Sequence, residues 1–349
     1  MERCAFGKTG NGAQASLFTL TNRNGMRVSV TDLGATLVAA CVPGKDGKLT
    51  DVILGYREAK DYETYGGFFG AVIGRNGNRI GNAEVELNGK TYHLEKNEKE
   101  NNLHSGNSGF DKRIWEAVCL EEENAVRFTL ESPDGDEGFP GNMTVSVTYT
   151  LTEENSIKLH YQAKADADTI ANLTNHSYFN LAGHDRPGTI TDHVLWLDAD
   201  AFTPTDADSI PTGEIRPVEG TPFDFRSPKE IGLEIDSDYE QIVKGGGYDH
   251  NFVLNHQGEG IRKIAEVTLP AMGRKMEVFT DLPGVQFYAG NFIGEEKTGK
   301  GGVHYGKRQG LCLETQVYPD AVHHENFPSS VLKAGEVYDT TTVYRFVWE

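Results

Sequence analysis

Apolar and polar residues alternate with a period of two along most of this chain. Met143, Val145, Val147, Tyr149 and Leu151 interleave with polar or small residues. A Glu153-Glu154-Asn155 turn follows, and Ile157, Leu159, Tyr161 and Ala163 alternate again. That period predicts half-buried antiparallel strands. Near the N-terminus, runs at 16–22 and 26–31 flank Arg23-Asn24-Gly25, and Asn-Gly is a strong hairpin signal. Strand-like runs recur at 85–94, 113–120, 125–131, 193–199, 263–270, 275–281, 311–317 and 342–348, whereas only 228–243 suits a short helix or two. No fixed repeat, low-complexity tract or Pro/Ser-rich linker divides the chain, and the Pro- and Asp-rich stretch from Phe202 to Pro228 reads as a long surface loop. The pattern predicts an all-β fold, a large antiparallel β-sandwich in a single domain over residues 1–349. The broad concave sheet face that such a sandwich often presents suits a mono- or oligosaccharide.

In two strand-like segments the polar face carries unusual residues. Between Ala171 and Leu181, an extended chain puts Asn172, Thr174, His176, Tyr178 and Asn180 on one face, with Leu173, Phe179 and Leu181 on the other. Exposed strands usually carry Lys, Glu or Thr, so Asn, His and Tyr leave two readings open, an ordinary solvent face or a functional one. From Leu311 to Val317, Cys312, Glu314 and Gln316 share the face opposite Leu311, Leu313 and Val317. Glu314 is either a strand-edge charge or a partly buried acid whose pKa rises toward the range useful to a general base. Three turn-rich segments add Asn78 and Arg79, then His104, then Asp249 behind Gly245, Gly246 and Gly247, glycines that allow close backbone approach to a ligand.

Composition narrows the classes. The 349 residues are 38% hydrophobic and 10% aromatic, enough for a substantial core, and the 40 glycines imply many turns. With 33 Lys+Arg against 52 Asp+Glu the formal charge is −19, which disfavours nucleic acid and anionic membranes as partners. The first twenty residues lack a signal-peptide apolar stretch, and no run approaches the roughly 20 apolar residues that span a bilayer. Cys4, Cys41, Cys119 and Cys312 are scattered and form no CxxC pair, as expected of reduced thiols in a cytoplasmic protein. His323 and His324 are adjacent and on a strand would point apart; there is no HExxH, Walker loop or GxSxG elbow. No metal and no cofactor is expected.

Taken in order, the motifs resemble those of the aldose 1-epimerase family. They are Gly74-Arg-Asn-Gly-Asn-Arg-Ile80, Asn102-Leu-His-Ser-Gly106 with Gly109-Phe-Asp-Lys112, and Asn175-His-Ser-Tyr-Phe-Asn-Leu181. Gly247-Tyr-Asp-His-Asn251, Gly284-Val-Gln-Phe-Tyr-Ala-Gly-Asn291, and Leu313-Glu-Thr-Gln-Val-Tyr-Pro-Asp-Ala321 running into Asn326-Phe-Pro-Ser329 complete the set. Each motif is weak alone; the ordered set is specific and covers essentially the whole chain. The resemblance implies a galactose-mutarotase-like supersandwich that interconverts the α and β anomers of free hexoses such as galactose and glucose. It implies Glu314 as general base and His176 as general acid, with Asn78, Arg79, His104, Tyr178, Asp249 and Gln286 binding the sugar. The chain departs from the family at Asn76-Gly77, where small apolar residues are usual, and at Ser105, where a second glycine often follows the histidine. An aldohexose is the expected partner of a monomer or homodimer. The alternatives are a glycoside hydrolase or lyase pairing Asp249 with Glu314, and a non-catalytic sugar-binding protein of the same fold.

Overall fold

The hairpin expected near the N-terminus forms because Asn22 closes it from both ends. Its Oδ1 accepts the N–H groups of Asn24 and Met26, and Gly25 takes φ +84°. A computed structural model describes every residue except Lys45, Asp46, Glu295 and Glu349. Gln14–Thr21 and Arg27–Thr31 are the hairpin strands, and they lie in a five-stranded antiparallel meander with Glu2–Lys8, Thr36–Pro43 and Leu49–Asp51.

The alternation around residue 147 is the centre of a nine-stranded antiparallel sheet. In spatial order it runs Glu116–Leu120, Ala125–Ser132, Met143–Leu151, Ser156–Ala165, Val337–Trp348, Arg274–Thr280, Arg262–Leu269, Val194–Leu197 and Lys229–Glu230. Met143 pairs with Ala165 and Val147 with Tyr161, so the apolar residues of neighbouring strands meet on one face. A second five-stranded sheet orders Arg216–Pro217, Ala199–Thr203, Asp249–Leu254, Gly284–Tyr288 and Cys312–Gln316. The apolar faces of all three sheets join one core. Phe18 meets Phe128 edge-on at 5.7 Å, and the Tyr344 hydroxyl donates to the Leu313 carbonyl at 3.0 Å. Each fully buried Val, Leu or Phe there contributes about 1.5–3 kcal/mol.

The structure redraws three expectations. The 85–94 run is two strands, Glu84–Leu87 and Lys90–His93, reversed at Asn88-Gly89, both at positive φ. The stretch from Phe202 to Pro228 does not merely cross the surface: Val218, Phe223 and Phe225 are buried in the core, and Phe223 stacks on Phe202 at 4.3 Å. Residues 171–181 are not one strand. Only Thr174–Asn175 forms a ladder, with Val72–Ile73, because the flanking backbone groups bond to Arg75, Ala71, Val52 and Leu311 in turn. The helical stretch is a 3-10 turn at Ile231–Leu233 and a helix at Glu240–Gly245; the helix Ala59–Tyr65 has no counterpart in the periodicity. Among the described residues no helix is long and apolar enough to cross a membrane.

Candidate active site

The second five-stranded sheet delivers three candidate residues through its register. Gln286 lies opposite both Asn251 and Glu314, and Asp249 lies opposite Tyr288. Strand alternation therefore puts Asp249, Gln286 and Glu314 on one face, while Phe252, Phe287 and Leu313 enter the core on the other. The other candidates arrive on short irregular segments. Arg79–Ile80 pairs with Asn102–Leu103, and the Asn78 carbonyl accepts the His104 N–H at 2.9 Å. The Thr174–Asn175 ladder then carries His176 alongside.

These segments enclose a cleft of about 230 Å³, small beside the roughly 300–1,000 Å³ of sites for drug-sized ligands and suited to one small polar ring. Asn78, Arg79, His104, His176, Tyr178, Asp249 and Glu314 all line it. Gln286 lies beneath, donating its Nε2–H to Asp249 Oδ1 at 2.8 Å and accepting from Gln316 at 3.3 Å. A larger hollow of about 980 Å³ opens on the outer face of the nine-stranded sheet beside Arg127, Gln162 and Lys164. It contains no histidine, and its Asp166 carboxylate is held by Asn142, so we place the site in the smaller cleft.

Glu314 is only 2% exposed, and its Oε2 has no hydrogen-bond partner. Its Oε1 lies 3.6 Å from His176 Nε2. Burial, reinforced by the Asp249 charge and opposed by Arg79, holds the Glu314 carboxyl well above the ordinary carboxylate range. Burial likewise raises Asp249, with Arg79 and the Gln286 bond pulling the other way. Burial pushes His176 down to about 4, so the carboxylates nearby do not keep it charged. Its ring is sandwiched between Phe68 at 5.7 Å and Tyr178 at 5.0 Å, with the Tyr178 hydroxyl donating to the Gly67 carbonyl.

His104 has a fixed tautomer. The Asn78 backbone N–H donates to its Nδ1 at 3.0 Å, so the ring proton resides on Nε2. Burial keeps the ring neutral, and the Arg79 charge acts in the same direction. His104 is thus a donor of fixed direction. His104, His176 and Glu314 do bring one ligand atom each within 4.8 Å of one another. A metal-ligating histidine, however, donates its other N–H to an acceptor, and at His104 that nitrogen receives a proton instead. The donor set therefore does not fit a metal centre. Arg79 is clamped by Glu98 through bonds of 2.6 and 2.9 Å; burial opposes its charge most, but Glu98, Asp249 and Glu314 together outweigh it and the net shift is upward.

The periodicity missed Phe68, Glu98, Tyr288 and Phe292, which also line the cleft. Tyr288 shares Gln286's strand face and was accessible to the same argument. Glu98 sits in a charged run that reads as solvated loop. On the 171–181 segment only His176 and Tyr178 of the polar set line the cleft. Asn172 instead exchanges bonds with the Val317 backbone, Asn180 bonds Gln309 and Ala182, and the Thr174 hydroxyl is buried without a partner. The triple glycine approaches protein: a Cβ at Gly247 would sit 2.3 Å from Asn291 Oδ1. His323 and His324 do not point apart, since both turn toward Asp320.

Fold and site define an antiparallel sandwich with a buried carboxyl and imidazole side by side in a cleft for one polar ring. The family profile for aldose 1-epimerase matches residues 16–345. Galactose mutarotase from Homo sapiens is 45% identical over 92% of this chain and 91% of its own. Aldose 1-epimerase from Escherichia coli (strain K12) is 40% identical over 97% of each chain. The GalM/aldose epimerase homologue from C. elegans superposes with a TM-score of 0.88 at 31% identity, covering 96% of this chain and 99% of that one. This chain belongs to the aldose 1-epimerase family.

Proposed function

We propose that the protein interconverts the α and β anomers of a free aldohexose such as galactose or glucose by acid–base ring opening. The observation that carries the reading is the unpartnered, buried Glu314 Oε2 in a one-ring cleft, with His176 Nε2 beside the other oxygen. Opening needs a base for the anomeric hydroxyl and an acid for the ring oxygen, held together around one centre. Glu314 takes the anomeric proton while His176 gives one to the ring oxygen. The aldehyde rotates about C1–C2 and closes on its other face with the roles reversed. The proton count is unchanged: carboxylate plus imidazolium becomes carboxylic acid plus imidazole. Burial in the cleft favours the neutral pair, and the Arg79 charge favours the Glu314 carboxylate. His104 offers Nε2–H to a sugar oxygen, Asp249 accepts from hydroxyls, Asn78, Arg79 and Tyr178 complete the hydrogen-bonding shell, and Gln286 orients Asp249 from beneath. A cytoplasmic location and action as a monomer or homodimer belong to the same proposal.

The test is the optical rotation of freshly dissolved α-D-galactose, then α-D-glucose. Wild type should hasten the approach to an unchanged final value. Glu314→Gln and His176→Asn should each lose about 10²- to 10⁴-fold in kcat, while Asp249→Ala chiefly raises KM. No acceleration by wild type overturns the activity; full turnover in Glu314→Gln overturns the base.

A further inference from the structure

Behind the proposed acid lies a group that the mechanism leaves unused. Cys312 is 0% exposed, and its Sγ is 3.5 Å from His176 Nδ1, on the side of the ring away from Glu314. The strand register makes this placement systematic. Cys312 precedes Glu314 by two residues on the same face and pairs with Tyr288, so a single strand carries both the base and the acid's neighbour. We propose that Cys312 is a positioning residue for His176: its sulfur accepts the imidazole Nδ1–H, leaving Nε2 as the nitrogen that exchanges a proton with the sugar.

The inference rests on His176 being the general acid. An acid that donates from Nε2 must keep Nδ1–H before and after the step, so Nδ1 needs an acceptor throughout. At His104 the arrangement is the reverse: the Asn78 N–H faces Nδ1 and fixes that ring as a neutral donor. A carboxylate behind His176 would hold the right tautomer but would stabilise the imidazolium and weaken the acid. A thiol supplies a weak, uncharged acceptor. Burial, together with Glu314 and Asp249, pushes the Cys312 thiol well above its ordinary range, so it remains S–H. The other groups facing His176 are Glu314, the His104 edge at 5.4 Å, Tyr178 and Phe68 on its two faces, and Tyr288 at 6.3 Å. The ring also hydrogen-bonds its own backbone, which raises its pKa against burial; Cys312 is its side-chain partner at Nδ1.

The experiment compares wild type, Cys312→Val, Cys312→Ser and His176→Asn by mutarotation of α-D-galactose across pH, and by 15N NMR of histidine-labelled protein without sugar. Valine keeps the bulk and removes the acceptor; serine keeps an acceptor in less bulk. Cys312→Val should lose about tenfold in kcat, the lower end for loss of a histidine's outer partner, with KM little changed. Cys312→Ser should recover most of kcat and move the loss of activity to higher pH, because a hydroxyl is the better acceptor. The neutral His176 ring should carry its proton on Nδ1 in wild type and Cys312→Ser, and distribute it in Cys312→Val. Wild-type kcat in Cys312→Val, a serine variant worse than valine, or a wild-type ring protonated on Nε2 each overturns the proposal. Full activity in His176→Asn would instead overturn the acid assignment beneath it.

Discussion

At Glu314 and His176 burial opposes charge on both partners, and the sign of that opposition can be measured. A carboxyl raised in the folded state binds more protons folded than unfolded above its ordinary pKa, so stability falls as pH rises through that window. A histidine lowered to about 4 gives the opposite slope: from its ordinary pKa near 6.5 down to about 4 the unfolded chain binds more protons, and stability falls with pH. Glu314→Gln removes the first term. Its Tm should exceed that of wild type at pH 8, the difference closing as pH drops toward the ordinary carboxylate range, although the variant is nearly inactive. An equal or lower Tm at pH 8 would show that burial in the cleft does not penalise the carboxylate. Strand alternation revealed Glu314's face from sequence. It did not reveal the degree of burial, which depends on the segment carrying His176 packing over it.

Among the elements, the segment from Gly74 to Ile80 shows best what a motif conceals. Its two arginines look alike in sequence but do different work. Arg79 lines the cleft, whereas Arg75 is 1% exposed and donates to Ser132, Pro133, Pro140, Gly141 and Thr169, tying the segment to the turn that follows the Ala125–Ser132 strand. Arg75→Met leaves several buried acceptors unpaired and should cost at least about 3 kcal/mol in urea unfolding, given 1.5–3 kcal/mol for each bond to a charged group. Two positions that the sequence reading singled out, Asn76 and Ser105, also meet here. Ser105 Oγ accepts the Asn76 N–H at 2.8 Å and donates to the Asn76 carbonyl at 3.1 Å, so the side chain at 105 holds the backbone at 76. Ser105→Ala should cost about 1–3 kcal/mol for the orphaned amide. Ser105→Gly should cost less, because residue 105 sits at φ +68°, which glycine adopts freely. If the two variants are equally destabilised, the backbone term is absent. Regular strands such as Met143–Leu151 were legible because their alternation reports one partner sheet. The 171–181 segment was not, because its backbone bonds to several different segments and alternation then assigns faces that do not exist.

Over the whole molecule the charge of −19 sets what the cleft can attract. The sequence gives the sign of this field but not its relation to the cleft. The fold places Asp249, Glu314 and Glu98 at the cleft, with Arg79 bound to Glu98. A neutral hexose feels none of this at long range, so its association should not depend on screening. We therefore expect kcat/KM for galactose to stay nearly constant from about 0.01 to 1 M salt, as the Debye length falls from roughly 30 to 3 Å. Galactose 6-phosphate, repelled by the same field, should be a poor substrate whose kcat/KM rises as salt is added. A steep fall of kcat/KM with salt for the phosphate ester would mean that a cationic path leads to the cleft. Lys297, at its rim, would then be the residue to replace first. Constancy for galactose together with a rise for the ester would tie the choice of an uncharged sugar to the net charge of the molecule rather than to any single contact.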